Sequence, residues 1–247
     1  MLQQLISFYK HQQFFPNVIS IFVNPFFFFR LHLAKAMKKY ASELNGRLLD
    51  FGCGSKPYKY LFKHVREYVG IDVENEGHSH QNENVDIYYD GENLPFNDET
   101  FDSILSNEVL EHVPNINGSL AELNRILKPG GKILITVPFV CFEHELPYDF
   151  RRFTVNGLIH ALNEYGFEII VAEKTGSYFE VIVQLWMSYL QEILYTKNRV
   201  VNVLINFIFI SPSTLIGVLL SFVFPMKKGL YFDTVIIGRK KSYDFNH

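Results

Sequence analysis

Cysteine is scarce: Cys53 and Cys141 are the only two in 247 residues. Two thiols are too few for a disulfide framework or a structural zinc site, and a cytoplasmic location fits. Charge of one sign is also lacking. The net charge is −3, which leaves no electrostatic case for nucleic acid, so no nucleic-acid partner is expected. The N-terminal stretch has no clear basic region or run of small residues before a cleavage point, so it does not read as a signal peptide. Ionisable residues are absent altogether between Val200 and Met226. What the chain has in excess is phenylalanine, 24 of them, with an aromatic share of 16%.

The stretch from Arg47 to Gly54, Arg-Leu-Leu-Asp-Phe-Gly-Cys-Gly, organises the first half. Leu48, Leu49 and Phe51 make a short apolar run that predicts a buried strand. Gly52 and Gly54 then permit a sharp turn and a close approach of backbone to a ligand. Tyr58, Leu61, Phe62 and Val65 fall at helical spacing and predict a helix over 56–65. Strand, glycine turn and helix together place a ligand at the carboxyl end of a parallel strand. The third glycine of the dinucleotide fingerprint is missing, so an ordinary tight turn is the alternative on these residues alone. A second strand at 67–72 ends in Asp72, about 20 residues beyond the turn, where an acid can accept from ribose hydroxyls.

Further strands are predicted at 85–89, 101–107, 132–137, 168–175 and 231–239, with a helix at 118–127. Strands alternating with helices imply a parallel sheet with right-handed crossovers. The connection 74–84 carries His78 and His80 beside acids; with no partner cluster elsewhere in sequence it reads as a solvated loop, and no metal site is expected. Asp98, Glu99 and Asp102 read as solvated turn acids.

These motifs, in this order, resemble a class I S-adenosylmethionine-dependent methyltransferase, of the small-molecule type grouped with the ubiquinone-biosynthesis methyltransferases. The resemblance covers about residues 45–175 and resumes near 230. It implies a Rossmann-like, seven-stranded, mostly parallel α/β sheet with an antiparallel last strand, and S-adenosyl-L-methionine as cofactor. Leu48 to Gly54 resembles the first motif, which brings in Asp50, Gly52, Cys53 and Gly54. Asp72 matches the ribose-binding acid, and Asp90-Gly91 the segment that meets adenine. Asn107, at the end of the fourth strand, falls where family members touch the methionine part. Glu111 and His112 are expected to start or orient the next helix.

The densest polar stretch is Glu143 to Thr154, beyond the fifth strand. It resembles the His-x-x-Pro-Tyr-Asp-x-x-Arg-x-Thr run of methyltransferases associated with surface-polysaccharide pathways. His144 is the candidate base, because imidazole accepts a hydroxyl proton near neutral pH. Asp149 orients it or pairs with an arginine, and Arg151 or Arg152 holds an anionic group on the acceptor. The alternative is an Asp–Arg cluster that only fixes the loop, with Thr154 capping the next helix.

The remainder divides into an apolar and basic N-terminal segment at 1–44, a methyltransferase domain at 45–176 and 229–241, and an apolar helical insertion at 177–228. Roughly 50 residues thus separate the last two strands, far beyond an ordinary connection. From Tyr178 to Thr196 the polar residues form one narrow stripe on a wide apolar helix. Pro212 is expected to break the following run into two halves too short to cross a bilayer. Phe26 to Phe29 beside Arg30, Lys35, Lys38 and Lys39 suit an anionic membrane surface. The expectation is a peripheral, monotopic enzyme at the inner face of the membrane. A homodimer interface or a hydrophobic substrate cap is the rival for the same surfaces. The expected acceptor is a small-molecule or lipid-linked glycan hydroxyl. A quinone or isoprenoid precursor, and a non-catalytic scaffold of a glycan-synthesis complex, are the alternatives.

Overall fold

The computed structural model describes residues 11–74 and 84–242. His78 and His80, with most of the 74–84 connection, lie outside the described residues. The chain divides into two compact units: Met1–Ala36 with Thr175–Phe232, and Met37–Lys174 with Asp233–His247.

The second unit is built on a seven-stranded sheet. Its strands are β1 (Arg47–Phe51), β2 (Glu67–Val73), β3 (Ile87–Tyr89), β4 (Phe101–Asn107), β5 (Leu127–Pro138), β6 (Phe167–Lys174) and β7 (Asp233–Lys240). The spatial order is β3-β2-β1-β4-β5-β7-β6. The first five run parallel, and β7 runs antiparallel to both β5 and β6. Central strands covered on both faces must be apolar throughout. Leu48 and Leu49 on β1, Ile104 and Leu105 on β4, and Ile133 to Ile135 on β5 are accordingly buried.

Two helices of this unit follow their caps. The Asn115 side chain accepts from Gly118 N ahead of Ile116–Ile126, and the Thr154 hydroxyl accepts from Gly157 N ahead of Val155–Glu164. Asp102 is a staple rather than a solvated turn acid. Its carboxylate accepts from Arg47 N at 2.7 Å, Lys128 Nζ at 2.6 Å and Arg66 at 3.2 Å. The helix expected over 56–65 does not form; only a 3₁₀ turn at Lys59–Phe62 is present. Lys56 stands at φ 52°, and its side chain is drawn inward to an ion pair with Asp86 at 2.6 Å. Holding Lys56 in the left-handed region stops a helix from starting there.

The first unit is helical. Its long helices are Phe27–Tyr40, whose last residues belong to the second unit, then Tyr178–Leu194 and the continuous Arg199–Ser221. Numbered in chain order, the helices of ten residues or more among the described residues are α1 (Phe27–Tyr40), α2 (Ile116–Ile126), α3 (Val155–Glu164), α4 (Tyr178–Leu194) and α5 (Arg199–Ser221). Pro212 does not break α5. A π turn over Asn206–Ile210 precedes it, and Ser211 N reaches back to Asn206 O. The wider turn absorbs the missing proline N–H, so the helix continues. At about 1.5 Å per residue its 23 residues reach about 35 Å, against a hydrocarbon thickness of about 30 Å. It is the one helix among the described residues long and apolar enough to cross a membrane.

Helix α4 buries part of its polar stripe. Glu180 and Gln184 are buried beside Val181, Met187 and Leu190, while Glu192 of the same stripe is exposed. Glu180 lies 3.0 Å from His32 Nε2 and forms a capping box with Ser177. Gln184 accepts from Phe28 N and donates to Pro25 O. The apolar residues Ile182, Trp186, Tyr189 and Ile193, spaced along one helical face, are exposed instead. The N-terminal phenylalanines are partly accounted for here, since Phe27 and Phe28 are buried.

Gly217 on α5 is the close-packing point of this unit. A Cβ there would come within 2.6 Å of Val183 and 3.1 Å of Phe28. Gly217→Val is therefore expected to cost about 1–3 kcal/mol by overpacking. Amide exchange across α4 and residues 27–33 should quicken at least about fivefold, the lower end of that range; unchanged protection would show that the helices do not meet there.

Candidate active site

Strand order reverses between β1 and β4, and in such sheets ligands bind outside the carboxyl ends of the strands at that point. A cleft of about 490 Å³ opens there, within the range of small-molecule sites. Its walls include Phe51, Gly52 and Gly54 after β1, Asp72 and Val73 at the end of β2, and Tyr89, Asp90 and Gly91 after β3. Glu108, Val109, His112 and Val113 follow β4, and Glu145 and Tyr148 come from the polar loop.

The glycine turn is tied to β2. Gly52 N and Cys53 N donate to Ile71 O, and Gly54 N donates to Asp72 Oδ2 at 2.7 Å. A Cβ on Gly52, at φ +70°, would overlap Val109, so packing as well as conformation demands glycine. At Gly54, φ +45°, nothing lies within 4 Å of where a Cβ would stand. Any side chain there would project into open space, and glycine keeps the backbone bare for a ligand. Asp90 caps its own turn, its Oδ1 accepting from Glu92 N and Asn93 N. These N–H donors hold its carboxyl below the usual range.

Three residues singled out from the sequence stand off the cleft wall. Asp50 turns into the sheet and accepts from the Tyr68 hydroxyl at 2.5 Å. Cys53 is buried against the position of Gly70. Asn107 accepts from Thr136 Oγ1 at 3.1 Å. The other five, Gly52, Gly54, Asp72, Asp90 and Gly91, face the cleft together.

Residues 108–115 do not begin a helix. Glu108 takes φ 54°, its N–H donating to Thr136 O and Oγ1, and this turns the chain across the mouth of the cleft. Arg151 secures that turn, donating to the carbonyls of Leu110, Val113 and Pro114. Its guanidinium is thereby committed to the loop, so it positions rather than holds an anionic acceptor. Arg152 grips Asp149 through two bonds of 2.5 and 2.7 Å. Burial works against charge on Asp149, yet Arg152 and the His144 N–H prevail and hold it at about 2.

His144 sits behind His112, not on the cleft wall. Their Nε2 atoms are 3.2 Å apart, with the rings perpendicular. Burial pulls His144 below its ordinary value. Glu111 is fully buried, and burial, then the neighbouring Glu108, pushes its carboxyl well above the ordinary range. From the sequence alone Glu111 and His112 fall at a helix start, which the structure does not form there. The signal available was their position immediately past a strand end, where binding loops cluster.

Asp50 gives a pH test of this geometry. Burial raises it from 3.8 to about 7, against the opposing pull of Tyr68 and Lys56. Between those values the unfolded chain has released the proton that the folded chain keeps, so this group's contribution to stability falls as pH rises. Asp50→Asn has no such proton, and its stability relative to the parent should climb across that window by up to a few kcal/mol at about 1.4 per unit. Denaturant melts of ligand-free protein at either end of the window, showing equal differences, would mean that Asp50 is ionised throughout.

A family model described as a methyltransferase domain matches residues 49–135. Over 104 residues the chain is 36% identical to a phthiotriol/phenolphthiotriol dimycocerosates methyltransferase of Mycobacterium ulcerans, covering 38% of each protein. It is 32% identical to a demethylmenaquinone methyltransferase of Staphylococcus saprophyticus, covering 46% of this chain and 51% of that one. An uncharacterised protein of Methanocaldococcus jannaschii is 30% identical over 57% of this chain and 73% of its own length. The chain thus spans about half or less of the first two relatives it matches. Among solved structures, phosphoethanolamine N-methyltransferase 2 of Haemonchus contortus, in complex with S-adenosyl-L-methionine, superposes with a TM-score of 0.54 at 18% identity, over 90% of this chain and 56% of that one. The [4+2]-cyclase SpnF gives 0.54 at 22% identity, over 84% and 82%.

Proposed function

Since the chain belongs to the class I S-adenosylmethionine-dependent methyltransferases, we propose that it methylates a hydroxyl of a membrane-borne acceptor, a lipid-linked sugar or glycan intermediate. One observation carries the reading: a single cleft joins the bare Gly54 backbone and Asp72 on one side to His112, Glu145 and Tyr148 on the other. When bound, S-adenosylmethionine supplies a methyl group already activated on sulfonium sulfur. The residues that fit it are Gly52, Gly54 and Asp72 for the ribose and methionine end, with Asp90 and Gly91 for the base. The chain's remaining task is alignment and removal of a hydroxyl proton. His112 on the cleft wall, backed by His144, serves that task, with Asp149 fixing the His144 backbone and Arg151 fixing the loop of His112.

Membrane association is supported by the first unit. Helix α4 exposes Trp186 and Tyr189, residues favoured at membrane interfaces. Val200, Ile208 and Leu219 on α5, with Phe222 and Val223 after it, are more than half exposed, and Lys227-Lys228 follows. A surface of this extent calls for a hydrophobic partner. A quinone or lipid acceptor is the second reading, favoured by the names of two relatives, one acting on phthiotriol dimycocerosates and one on demethylmenaquinone.

Incubation with membranes and methyl-labelled S-adenosylmethionine should carry label into solvent-extractable lipid. Mild acid should release it in a water-soluble sugar; label that stays with the lipid favours the quinone reading, and no incorporation rejects both. His144→Ala should lower turnover at least about a hundredfold while leaving S-adenosylmethionine affinity within about threefold, roughly 0.6 kcal/mol. Equal loss of both would give His144 a purely structural role.

Ile182→Glu with Trp186→Glu should cut co-sedimentation with anionic vesicles by at least about tenfold, because two charges replace exposed apolar area that the membrane would bury. Undiminished sedimentation would remove α4 from the membrane contact.

A further inference from the structure

We propose that Glu111, His112 and His144 bind one divalent transition-metal ion at the mouth of the cleft. His112 Nδ1 lies 3.0 Å from the Tyr148 carbonyl oxygen. A carbonyl only accepts, so Nδ1 carries the hydrogen and Nε2 keeps a lone pair. His144 Nδ1 faces the Phe142 carbonyl at 3.2 Å and Asp149 Oδ2 at 3.5 Å, both acceptors and both nearer than the Cys141 thiol at 4.0 Å. Its Nε2 also keeps a lone pair.

The two lone-pair nitrogens then stand 3.2 Å apart. Two lone pairs at that separation repel unless a cation lies between them. An ion with metal–nitrogen bonds of about 2.0–2.1 Å in tetrahedral geometry sets two nitrogens about 3.3 Å apart. The pair already has that spacing.

Glu111 supplies the third ligand. It is fully buried, and neither carboxylate oxygen has a hydrogen-bond partner among the described residues. Its Oε1 is 3.7 Å from His112 Nε2, and the three ligand atoms lie within 4.8 Å of one another. Closing the Glu111–His112 distance by about 0.4 Å, and bringing the same carboxylate toward His144 from a separation of no more than 4.8 Å, completes a face of two imidazoles and one carboxylate. Donor sets of this kind hold zinc, iron(II) and related ions with positions left open. The backbone carbonyls behind both imidazoles are the outer partners that metal-bound histidines require. Glu145 Oε2, 3.8 Å from His112 Nε2 and partly exposed, borders the open side. Sequence separation hid this set, since His144 lies 32 residues beyond His112.

Because His112 lines the cleft, an acceptor hydroxyl would enter the open position, where a bound ion would make its proton easier to lose to the neighbouring Glu145 carboxylate, the imidazole lone pairs then being held by the ion. That role rests on the methyl-transfer reading; the existence of the site does not.

The test uses tag-free, full-length, detergent-solubilised protein stripped of metal and titrated with cobalt(II). One equivalent per chain should give the visible absorption of a nitrogen- and oxygen-ligated ion, and zinc(II) should displace it. His112→Ala and the isosteric Glu111→Gln should each weaken cobalt binding at least about tenfold, while S-adenosylmethionine affinity and far-ultraviolet dichroism confirm an intact fold. Asp72→Ala should lose S-adenosylmethionine but keep the cobalt site, which separates failure of this inference from failure of the methyltransferase reading. No cobalt spectrum, or one retained in His112→Ala/His144→Ala, would overturn it and leave the two imidazoles sharing a proton, with His144 as a base.

Discussion

The reversal of strand order between β1 and β4 is the constraint on which the functional half of the molecule depends. Parallel strands deliver all their carboxyl ends to one edge, and at the reversal the loops after β1 and β4 part. Every group assigned to the cleft comes from that edge. The glycine turn follows β1, Asp72 ends β2, Asp90 follows β3, and His112 follows β4. The sheet itself needs only buried aliphatic residues, which is why a [4+2]-cyclase shares this fold; the chemistry resides in what the edge carries.

Much of this was legible in the order of residues. In the second unit each run that reads as a strand stands where a strand forms, and the glycines mark the turn because few residues tolerate positive φ. Two kinds of feature were not legible. The first depends on side chains meeting across the fold. Lys56 turning in to Asp86 removes a helix that the spacing of Tyr58, Leu61 and Phe62 predicts, and Arg151 spends itself on backbone carbonyls. Periodicity contains no information about such pairings.

The second kind depends on what surrounds a helix. A polar stripe on an apolar helix is ordinarily read as its wet side. In α4 the first two residues of that stripe, Glu180 and Gln184, face inward onto His32, Phe28 and Pro25, and Ile182, Trp186, Tyr189 and Ile193 face out. Likewise Pro212 reads as a break, yet a single wide turn before it lets α5 run on. In both cases the sequence pattern was seen and the sign of its meaning was reversed by context.

The bond from His112 Nδ1 to the Tyr148 carbonyl has one more consequence. It makes the polar loop a lock on chemistry in the neighbouring loop. Because a carbonyl oxygen can only accept, the contact selects the Nδ1-protonated tautomer of the neutral His112 ring and leaves Nε2 turned to His144. The backbone of one loop thus sets the protonation pattern of a side chain carried by another, without any charged partner.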